Sequence, residues 1–582
     1  MPKIVSAQEN MSDANWLEDL DHLKGLISTE HVRPFWQSNE SDFEKLFESV
    51  RNDFSQKTLS KQEKVIAFMQ LVAFIRDGHT AISSGDRYRL LGYLPFTAAW
   101  FGNDLHIIRT TASLKPALGS KILAINGVTI QEVCEKLRRI VPHANESRFK
   151  KFSPNYLHLP GALFGLGITA SPNKAMLLLE DEHGARFHVE YTNMSPEVEE
   201  KTQFLDFLDD IDALPLYQTN ADEAYWFDYI EEEGILYFKY NRVTSMKAEN
   251  VWAFAARLFN FIDQNQIDKF IVDIRDNGGG SSAFSAPFWH GIATNGKINQ
   301  RGKLFVITGY KTFSAAINFA SQLERNTKAI FVGEPPCDYL HSPGDNDEFK
   351  LPNSGTTVLL SKIFHEESFH KDHRSALVPE LPINLTFNEY ASGIDQAFEK
   401  IKNYEDDQKI KQLKNPSRYI GRYSFSPETN LNIKKGDYGL EMTITGKFTS
   451  PLYPSKKRSF KTEIPGFELW FDKSSNLFVY YPDGQVRRLQ RTTSDDVTPS
   501  ELIYQSKLNQ AEEKLKALKK EFPDQTFWKD HALVDLALEL YYDFSKEKGR
   551  EQAKAMARSV IEMAIRINPE DNAYARSALE YY

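Results

Sequence analysis

The chain contains very little cysteine. Only Cys134 and Cys337 occur in 582 residues, which excludes a fold held together by a network of disulfides. Two buried free thiols are predicted, and a single bridge between them is the alternative. Long apolar runs are also missing, because no stretch of about 18 apolar residues is present, and no transmembrane helix is predicted. Lys and Arg form no dense stripe and the net charge is −10, which argues against a nucleic-acid-binding protein.

The first residues, MPKIVSAQEN, lack the apolar core of a signal peptide. The sequence by itself is compatible with a cytoplasmic protein and with a mature exported protein whose leader is not part of this chain. What is present is typical of globular domains: hydrophobic residues make up 41% and aromatic residues 13%, with 40 Phe and 25 Tyr. The length predicts several domains, each with its own core.

Residues 10–85 have apolar residues three and four positions apart, which predicts helices. In residues 92–145, the strand KILAI, the turn Asn126-Gly127 and the helix IQEVCEKLRRIV follow one another. This order resembles the second half of a PDZ module, in which a peptide adds as a strand. A small α/β insert without a ligand is the alternative interpretation of the same stretch.

Residues 225–400 alternate predicted strands and helices. GILYFKYNRV, KFIVDIRDN and KLFVITG are apolar strands, and NVWAFAARLFNFIDQN and SAAINFASQLER are amphipathic helices. Near-continuous apolar strands that alternate with helices are typical of a buried parallel sheet. Residues 416–490 change to short alternating strands with Gly, Asn and Asp turns, which predicts a small antiparallel sheet or barrel. Residues 500–582 return to helices.

Two segments of the α/β region carry candidate chemistry. In YKTFSAAINFA, Ser314 stands where a strand turns into a helix, so its hydroxyl is exposed at a helix N-terminus that favours negative charge. In IVDIRDNGGG, Gly278, Gly279 and Gly280 follow a buried strand, and their backbone N–H groups can approach a substrate closely. The structural alternatives are a serine that only caps the helix and a flexible glycine loop.

These stretches resemble the C-terminal-processing (tail-specific) serine peptidases, and more closely their tricorn-like branch. The resemblance is carried in order by YWFDYI with LYFKYNRV, FIVDIRDNGGG, TGYKTFSAAINFASQL, IFVGE, LPNSGTTVLLS and VPELPINLTFNEYASGID, and it extends upstream through DGHT and the PDZ-like stretch. It implies a multidomain α+β protein with an α/β core of ββαβ, crotonase-like type. The expected regions are a helical N-terminal region (1–88), a PDZ-like module with a hairpin (89–200), a peptidase core (201–405), an antiparallel β domain (406–495) and a tetratricopeptide-like helical cap (496–582).

The resemblance implies that Ser314 is the nucleophile and that N–H groups of Gly278 or Gly279 and of Ala315 form the oxyanion hole. One branch of the family uses a lysine shortly after VGE, and here Tyr339 stands about where that lysine falls. The tricorn-like branch uses a histidine of an Asp-x-His element, and His79 in Asp77-Gly78-His79 matches it. A neutral imidazole can accept the serine proton near neutral pH.

The third member implied by the resemblance is a glutamate in IFHEESFHKDHRS. Glu367 is favoured there, Glu366 and Asp372 are alternatives, and Glu380 in VPELP is a poorer candidate. The same segment also invites a metal hypothesis. Its histidines His365 and His370 are five apart and face different ways on a helix, so a polar loop is preferred over a zinc site.

The sequence therefore predicts a serine peptidase that acts on peptides or unfolded polypeptides, without a cofactor, metal, nucleic acid or integral membrane segment. The alternatives are a catalytically inactive peptide- or ligand-binding protein on the same fold and a hydrolase of non-peptide esters or amides. The oligomeric state stays open. By resemblance, the protein is expected to be extracytoplasmic, either periplasmic or secreted.

Overall fold

The structure is a computed structural model. It describes residues 11–211, 214–368, 374–405, 416–436, 439–455, 458–464, 466–481, 485–493, 495–523 and 525–579. Of the candidate site residues, Asp372 and the neighbouring His370 and His373 lie outside the described residues. Among the described residues, no helix is both long and apolar enough to span a bilayer.

The N-terminal part is helical, and its helices begin at capping serines. Ser12 and Ser60 each form a reciprocal capping box with the third helical residue, which satisfies N–H groups that the helix itself leaves unpaired. The elements are α1 (Asp13–Glu30), α2 (Glu40–Gln56), α3 (Lys61–Phe74), β1 (Ala81–Ile82) and α4 (Ser84–Leu91). Their apolar faces share one core cluster with the sheet that follows.

The next part is built on a seven-stranded sheet of order β2-β3-β4-β6-β7, with β5 paired to β4 and β8 to β3. The predicted turn is present, since Asn126 and Gly127 have φ of 49° and 82°, as a two-residue hairpin turn requires. The elements are β2 (Phe96–Phe101), β3 (Asp104–Thr111), β4 (Lys121–Ile125), β5 (Val128–Thr129), α5 (Ile130–Leu137), α6 (Glu146–Leu157), α7 (Pro160–Gly165), β6 (Lys174–Glu180), β7 (Arg186–Thr192), α8 (Pro196–Glu199) and β8 (Phe204–Asp206).

The central part contains a six-stranded sheet of order β16-β13-β12-β11-β10-β9. All neighbouring pairs are parallel except β9 with β10, and apolar clusters cover both faces, as the continuous apolar strands predict. The elements are β9 (Tyr225–Ile230), β10 (Ile235–Tyr240), α9 (Val251–Gln264), β11 (Lys269–Asp273), α10 (Ala286–Thr294), β12 (Leu304–Thr308), α11 (Ala315–Asn326), β13 (Ile330–Gly333), β14 (His341–Lys350), β15 (Thr357–Glu366), β16 (Leu381–Pro382), α12 (Phe387–Ala391) and α13 (Gln396–Lys402).

A small sheet joins the N-terminal helices to the central part. The hairpin of β14 and β15 extends by one strand because β1 pairs antiparallel with β15, Ala81 opposite Leu359. The residues just before β1 are thereby fixed over the carboxyl edge of the central sheet.

Eight antiparallel strands follow as a meander. Hydrogen bonds from Ser424 N–H to the Gln490 carbonyl and from Thr492 N–H to the Arg422 carbonyl join the first strand to the chain at the last one, so the sheet closes on itself. The strands are β17 (Gly421–Ser426), β18 (Thr429–Gly436), β19 (Gly439–Ile444), β20 (Phe448–Pro454), β21 (Ser459–Lys461), β22 (Glu468–Phe471), β23 (Leu477–Tyr480) and β24 (Val486–Leu489).

The C-terminal part is helical and packs on the central part. Its helices are α14 (Pro499–Tyr504), α15 (Leu508–Glu521), α16 (Asp530–Glu547), α17 (Arg550–Ile567) and α18 (Ala573–Leu579). The protein is thus a mixed α/β molecule with several sheets. The crotonase-like type of the core, the PDZ-like nature of the seven-stranded sheet and the domain boundaries stay predictions.

Candidate active site

Ser314 lies in the turn between β12 and α11. Its backbone has φ of 54° and ψ of −130°, a conformation that residues with a Cβ rarely adopt and that is typical of a nucleophile held on a sharp strand-to-helix turn. The hydroxyl makes no capping hydrogen bond to α11. Capping, the alternative role for this serine, is therefore not performed by its side chain.

The imidazole of His79 is the partner of this hydroxyl. Its Nε2 lies 3.2 Å from Oγ of Ser314, although the two residues are 235 positions apart in sequence. The pairing of β1 with β15 fixes the chain next to His79, and the side-chain amide of Asn346 donates to the His79 carbonyl at 3.0 Å. A serine hydroxyl can donate to a neutral imidazole at this distance.

Aromatic packing holds the plane of the imidazole. The ring of Phe313 stacks on His79 with 4.3 Å between centroids and an interplanar angle of 27°. The guanidinium of Arg148, which comes from α6, lies 4.1 Å from the centroid of Phe313. Ring stacking and cation–π contact each contribute about 1 kcal/mol, so these two side chains restrict the orientation of the histidine.

A buried hydrogen-bond network around Asp77 supports the same loop. Its carboxylate accepts from the His79 N–H at 2.8 Å and from the side chains of Thr80, at 2.6 Å, and Ser361, and it pairs with Nε2 of His31 at 2.9 Å. Burial opposes its ionisation, but the hydrogen bond from His31 and the neighbouring imidazoles lower the pKa of Asp77 from 3.8 to about 2. The carboxylate is therefore ionised over the working pH range.

Replacing Asp77 with alanine should lower the free energy of unfolding by about 2 kcal/mol or more, since it leaves several buried donors without an acceptor. The contribution of an ionised Asp77 should be complete above pH 3.8 and should be lost as the pH falls through about 2. Urea unfolding at neutral pH measures the effect of the replacement, and urea unfolding of the wild type at a series of acid pH values measures the pH dependence. Asp228 is exposed, so Asp228→Ala is the matched control and should change the free energy of unfolding by less than about 0.5 kcal/mol. An equal effect of both variants would contradict the structural role of Asp77.

The environment of His79 keeps the imidazole neutral. Burial lowers its pKa from 6.5 to about 4, opposed by the charge of Asp77 and assisted by those of Arg148 and His365. At neutral pH the side chain is therefore a free base that is ready to accept a proton.

Asp338 is the carboxyl group that faces the other ring nitrogen of His79. Its Oδ2 lies 4.0 Å from Nδ1, the residue is 2% exposed, and neither atom has a hydrogen-bond partner among the described residues. Burial raises the pKa of Asp338 to about 7. A Cβ at Gly78 would overlap the Asp338 carboxylate, so the glycine next to His79 makes room for it.

Glu367 and Glu366, the predicted carboxylates, are placed differently. Oε1 of Glu367 lies 3.8 Å from Nδ1 of His365, whose Nε2 is 2.7 Å from Oδ2 of Asp345. Glu366 ends β15. Among the described residues, neither glutamate is within 4.0 Å of His79. The structure thus brings Ser314 and His79 together, and it places Glu367 beside the neighbouring histidine.

The glycine run lies against the nucleophile. A Cβ at Gly279, which has φ of 97°, would come within 2.7 Å of Cβ of Ser314 and 3.1 Å of the Ala315 nitrogen, so only glycine fits there. The N–H of Gly279 donates to Oδ1 of Asn277 at 2.9 Å. Within the described residues, the N–H groups of Gly278, Gly280 and Ala315 donate no hydrogen bond to another backbone group.

Sequence reasoning did not identify Asp338, Phe313 or Arg148. A signal for Asp338 existed, because the segment after VGE is where one branch of the family that the sequence resembles carries its base. Nothing in the sequence singles out Arg148, which belongs to the helix after the predicted PDZ-like half.

Among the described residues, no group of three or more His, Cys, Asp or Glu side chains is arranged to hold a metal ion.

Comparisons with solved structures return matches that include three named proteins. Mature CPAF complexed with lactacystin is 14% identical, covers 67% of this chain and 98% of its own, and has a TM-score of 0.48. The photosystem II D1 C-terminal processing protease is 12% identical, covers 66% of this chain and 98% of its own, and has a TM-score of 0.33. The tricorn protease is 15% identical, covers 67% of this chain and 36% of its own, and has a TM-score of 0.31.

No protein-family model and no curated protein sequence matches the chain. Because all three TM-scores lie below 0.5, function is inferred here from the geometry of the site.

Proposed function

We propose that the protein is a serine peptidase that hydrolyses peptide bonds of peptides or unfolded polypeptides through an acyl-enzyme on Ser314, with His79 as general base. The observation that carries the proposal is the 3.2 Å distance from His79 Nε2 to Ser314 Oγ, made by a serine on a strained turn whose hydroxyl caps nothing. A nucleophile with a base in hydrogen-bond reach is the diagnostic pair of covalent hydrolysis.

In the first half of the reaction, Oγ of Ser314 attacks the carbonyl carbon of the scissile bond while Nε2 of His79 takes its proton. Negative charge develops on the carbonyl oxygen, and the N–H of Ala315 with the N–H of Gly278 is proposed to receive it. Such donors stabilise the transition state because they are already oriented. Gly279, the other predicted donor, already donates its N–H to Asn277.

His79 then gives its proton to the leaving amine, and the acyl group stays on Ser314. In the second half, water attacks the ester while His79 accepts its proton. His79 then returns the proton to Oγ of Ser314, and the new carboxyl terminus is released. The neutral state of His79, which follows from its pKa of about 4, is the state that both proton abstractions need.

The carboxyl group that orients His79 distinguishes two versions of this site. Glu367 is the member implied by family resemblance, and it contacts His365. Asp338 is buried and faces Nδ1 of His79, so we assign the orienting role to Asp338 and keep Glu367 as the competing prediction. Asp338→Asn and Glu367→Gln variants compared side by side separate them. Replacing the residue that orients the base should lower kcat by about 10²- to 10⁴-fold, and replacing the other carboxyl residue should lower it clearly less.

We place the protein with the tail-specific serine peptidases, in their tricorn-like branch with a histidine base. The order of motifs around Ser314 and His79 and the absence of a lysine at Tyr339 support this placement. The inactive binding protein is the weaker alternative, since a ligand-binding site has no need of a base at 3.2 Å from an uncapped serine.

The pH profile of kcat/KM should show two steps. As the pH increases, kcat/KM should rise first through about 4, where His79 loses its proton and becomes a base. It should rise a second time through about 7, where Asp338 ionises and its negative charge stabilises the imidazolium. Asp338→Asn should remove the upper step and keep the lower one. Steady-state assays at constant ionic strength measure this, and a single limb near pH 6.5 would contradict the buried, neutral histidine.

The proposal is tested by incubating the protein with a reduced, unfolded protein and with a peptide mixture, and reading the fragments by mass. Cleavage that a fluorophosphonate blocks, with the adduct mapped to Ser314, supports the peptidase. If no fragment appears and Ser314 stays unlabelled, the inactive binding protein becomes the better account. Fragments that appear while Ser314 is unlabelled would point to a different nucleophile.

A further inference from the structure

The cavity into which Ser314 opens has walls from two distant parts of the chain. Its volume is about 730 Å³. Near Ser314 it is bounded by His79 and by the segment that leads into α10, from Gly280 to Trp289. The opposite wall comes from the C-terminal helices α16 and α18, through Val534, Leu538, Tyr541, Tyr574 and Ala578.

The C-terminal wall is fixed to the central part. Leu538 packs against the apolar clusters of both parts, and the ring of Tyr541 stacks on His290 with 5.5 Å between centroids. Arg325 of α11 pairs with Glu539 at 3.5 Å, with both side chains buried. The wall is therefore a built part of the cavity in the same molecule, and its side chains keep defined positions relative to Ser314.

Large apolar side chains are exposed around this cavity. Trp252, Ile363 and Tyr574 line it and are 45%, 41% and 40% exposed. Single exposed apolar residues are ordinary, but three at the rim of one cavity form a surface that gains free energy when an apolar group covers it.

The ionisable groups of the C-terminal wall are few. Asp535 and Lys554 face the cavity. Burial and the nearby Glu367 raise the pKa of Asp535 well above its ordinary value, so this carboxyl group favours its neutral form. The same cavity is also lined by Asp345 and Glu367, whose carboxyl groups lie beside His365, whereas the C-terminal wall itself adds little fixed negative charge.

We propose that helices α16 and α18 form one wall of a substrate subsite, which takes a large apolar or aromatic side chain of the polypeptide close to the scissile bond. The inference rests on the proposed peptidase function and deepens it. It makes the C-terminal helices determinants of specificity in addition to their packing role, and it names the substrate class as chain segments that carry Phe, Leu, Tyr or similar residues.

The test uses full-length protein and two peptide series that differ at one position, with Phe or Leu in one series and Gly, Lys or Asp in the other. The wild type should cleave the apolar series with kcat/KM at least about tenfold higher. Tyr574→Ala should lower kcat/KM for the apolar series by about tenfold, and Ala578→Trp should shift the preference towards smaller side chains.

Tyr480→Ala is the matched control, because Tyr480 is 39% exposed on β23 and does not line the cavity. It should leave the preference unchanged. If Ala578→Trp fails to fold, the exposed Tyr574 variant still decides.

An unchanged preference in Tyr574→Ala, or wild-type cleavage favouring Lys or Asp, would overturn the subsite. The wild type would still be labelled at Ser314 in that case, whereas failure of the proposed function itself would abolish both labelling and cleavage.

Discussion

Replacing Ser314 with alanine should lower kcat by about 10⁴- to 10⁶-fold, because removal of the nucleophile forces the reaction through direct attack by water. The variant should fold normally. Among the described residues, the hydroxyl makes a hydrogen bond only with His79. Alanine, like serine, carries a Cβ, so the backbone strain at this position is unchanged. The free energy of unfolding should therefore change by less than about 0.5 kcal/mol. Initial rates on a cleaved peptide and urea unfolding measure the two quantities.

Ser281→Ala is the matched control for this experiment. Ser281 lines the same cavity as Ser314, but it has no histidine at hydrogen-bond distance among the described residues. It should keep kcat within about threefold of the wild type. If Ser314→Ala retains more than about 1% of the activity, Ser314 is not the nucleophile and the mechanism is wrong.

Replacing His79 with alanine should lower kcat by about 10³-fold or more, since Oγ of Ser314 then has no group to take its proton. Residues that act as one unit are not additive, so the double variant Ser314→Ala, His79→Ala should be no slower than Ser314→Ala alone. The rate of fluorophosphonate labelling at Ser314 should fall with His79→Ala as well, because labelling needs the same deprotonation.

His365→Gln provides the comparison for His79. His365 lies close enough to lower the pKa of His79, yet it has no recorded contact with Ser314. Its replacement should cost less than about tenfold in kcat and should move the acid limb of the pH profile upward, because a positive neighbour is removed. A loss as large as that of His79→Ala would show that the two histidines have been assigned the wrong roles.

The sequence predicted the elements of the central sheet because burial leaves a local pattern. KFIVD and LFVIT are mostly apolar runs, and they form β11 and β12, whose side chains are buried apart from the partly buried Lys269. Ser314 could be singled out because it stands between such a strand and an amphipathic helix and because the glycine run gave it a partner, although its position alone also fitted a helix cap. The distance to His79 then agrees with the pairing that resemblance implied, whereas the roles of both residues stay predictions until tested.

The orienting carboxyl group could not be predicted in the same way. Asp338 lies in PPCDYL, a segment without periodicity, and its approach to His79 depends on the missing side chain of Gly78 and on α6 carrying Arg148 against Phe313. These are contacts between residues far apart in sequence, and each depends on how the parts dock. The family resemblance implied a glutamate in this part of the chain and favoured Glu367, but a resemblance does not say which way a side chain points at the end of a strand.

The contacts of the C-terminal helices could not be predicted from the sequence either. Their amphipathic pattern predicted helices, and α16 and α17 are helices of 18 residues each. The pattern does not state which apolar face packs within the helical part and which faces Ser314. Leu538 does both, since it packs against two clusters and lines the cavity, and this double role exists only in the folded molecule.

The central claim, an acyl-enzyme on Ser314, is tested most directly by mixing the protein with a peptide p-nitrophenyl ester and following release of nitrophenol on the millisecond scale. A burst of about one equivalent per protein chain is predicted, followed by slower turnover, with the acyl mass found after acid quench on the fragment that contains Ser314. The burst should be absent in Ser314→Ala. Linear release without a burst and without an acyl group on Ser314, or an acyl group found on another residue, would contradict the account.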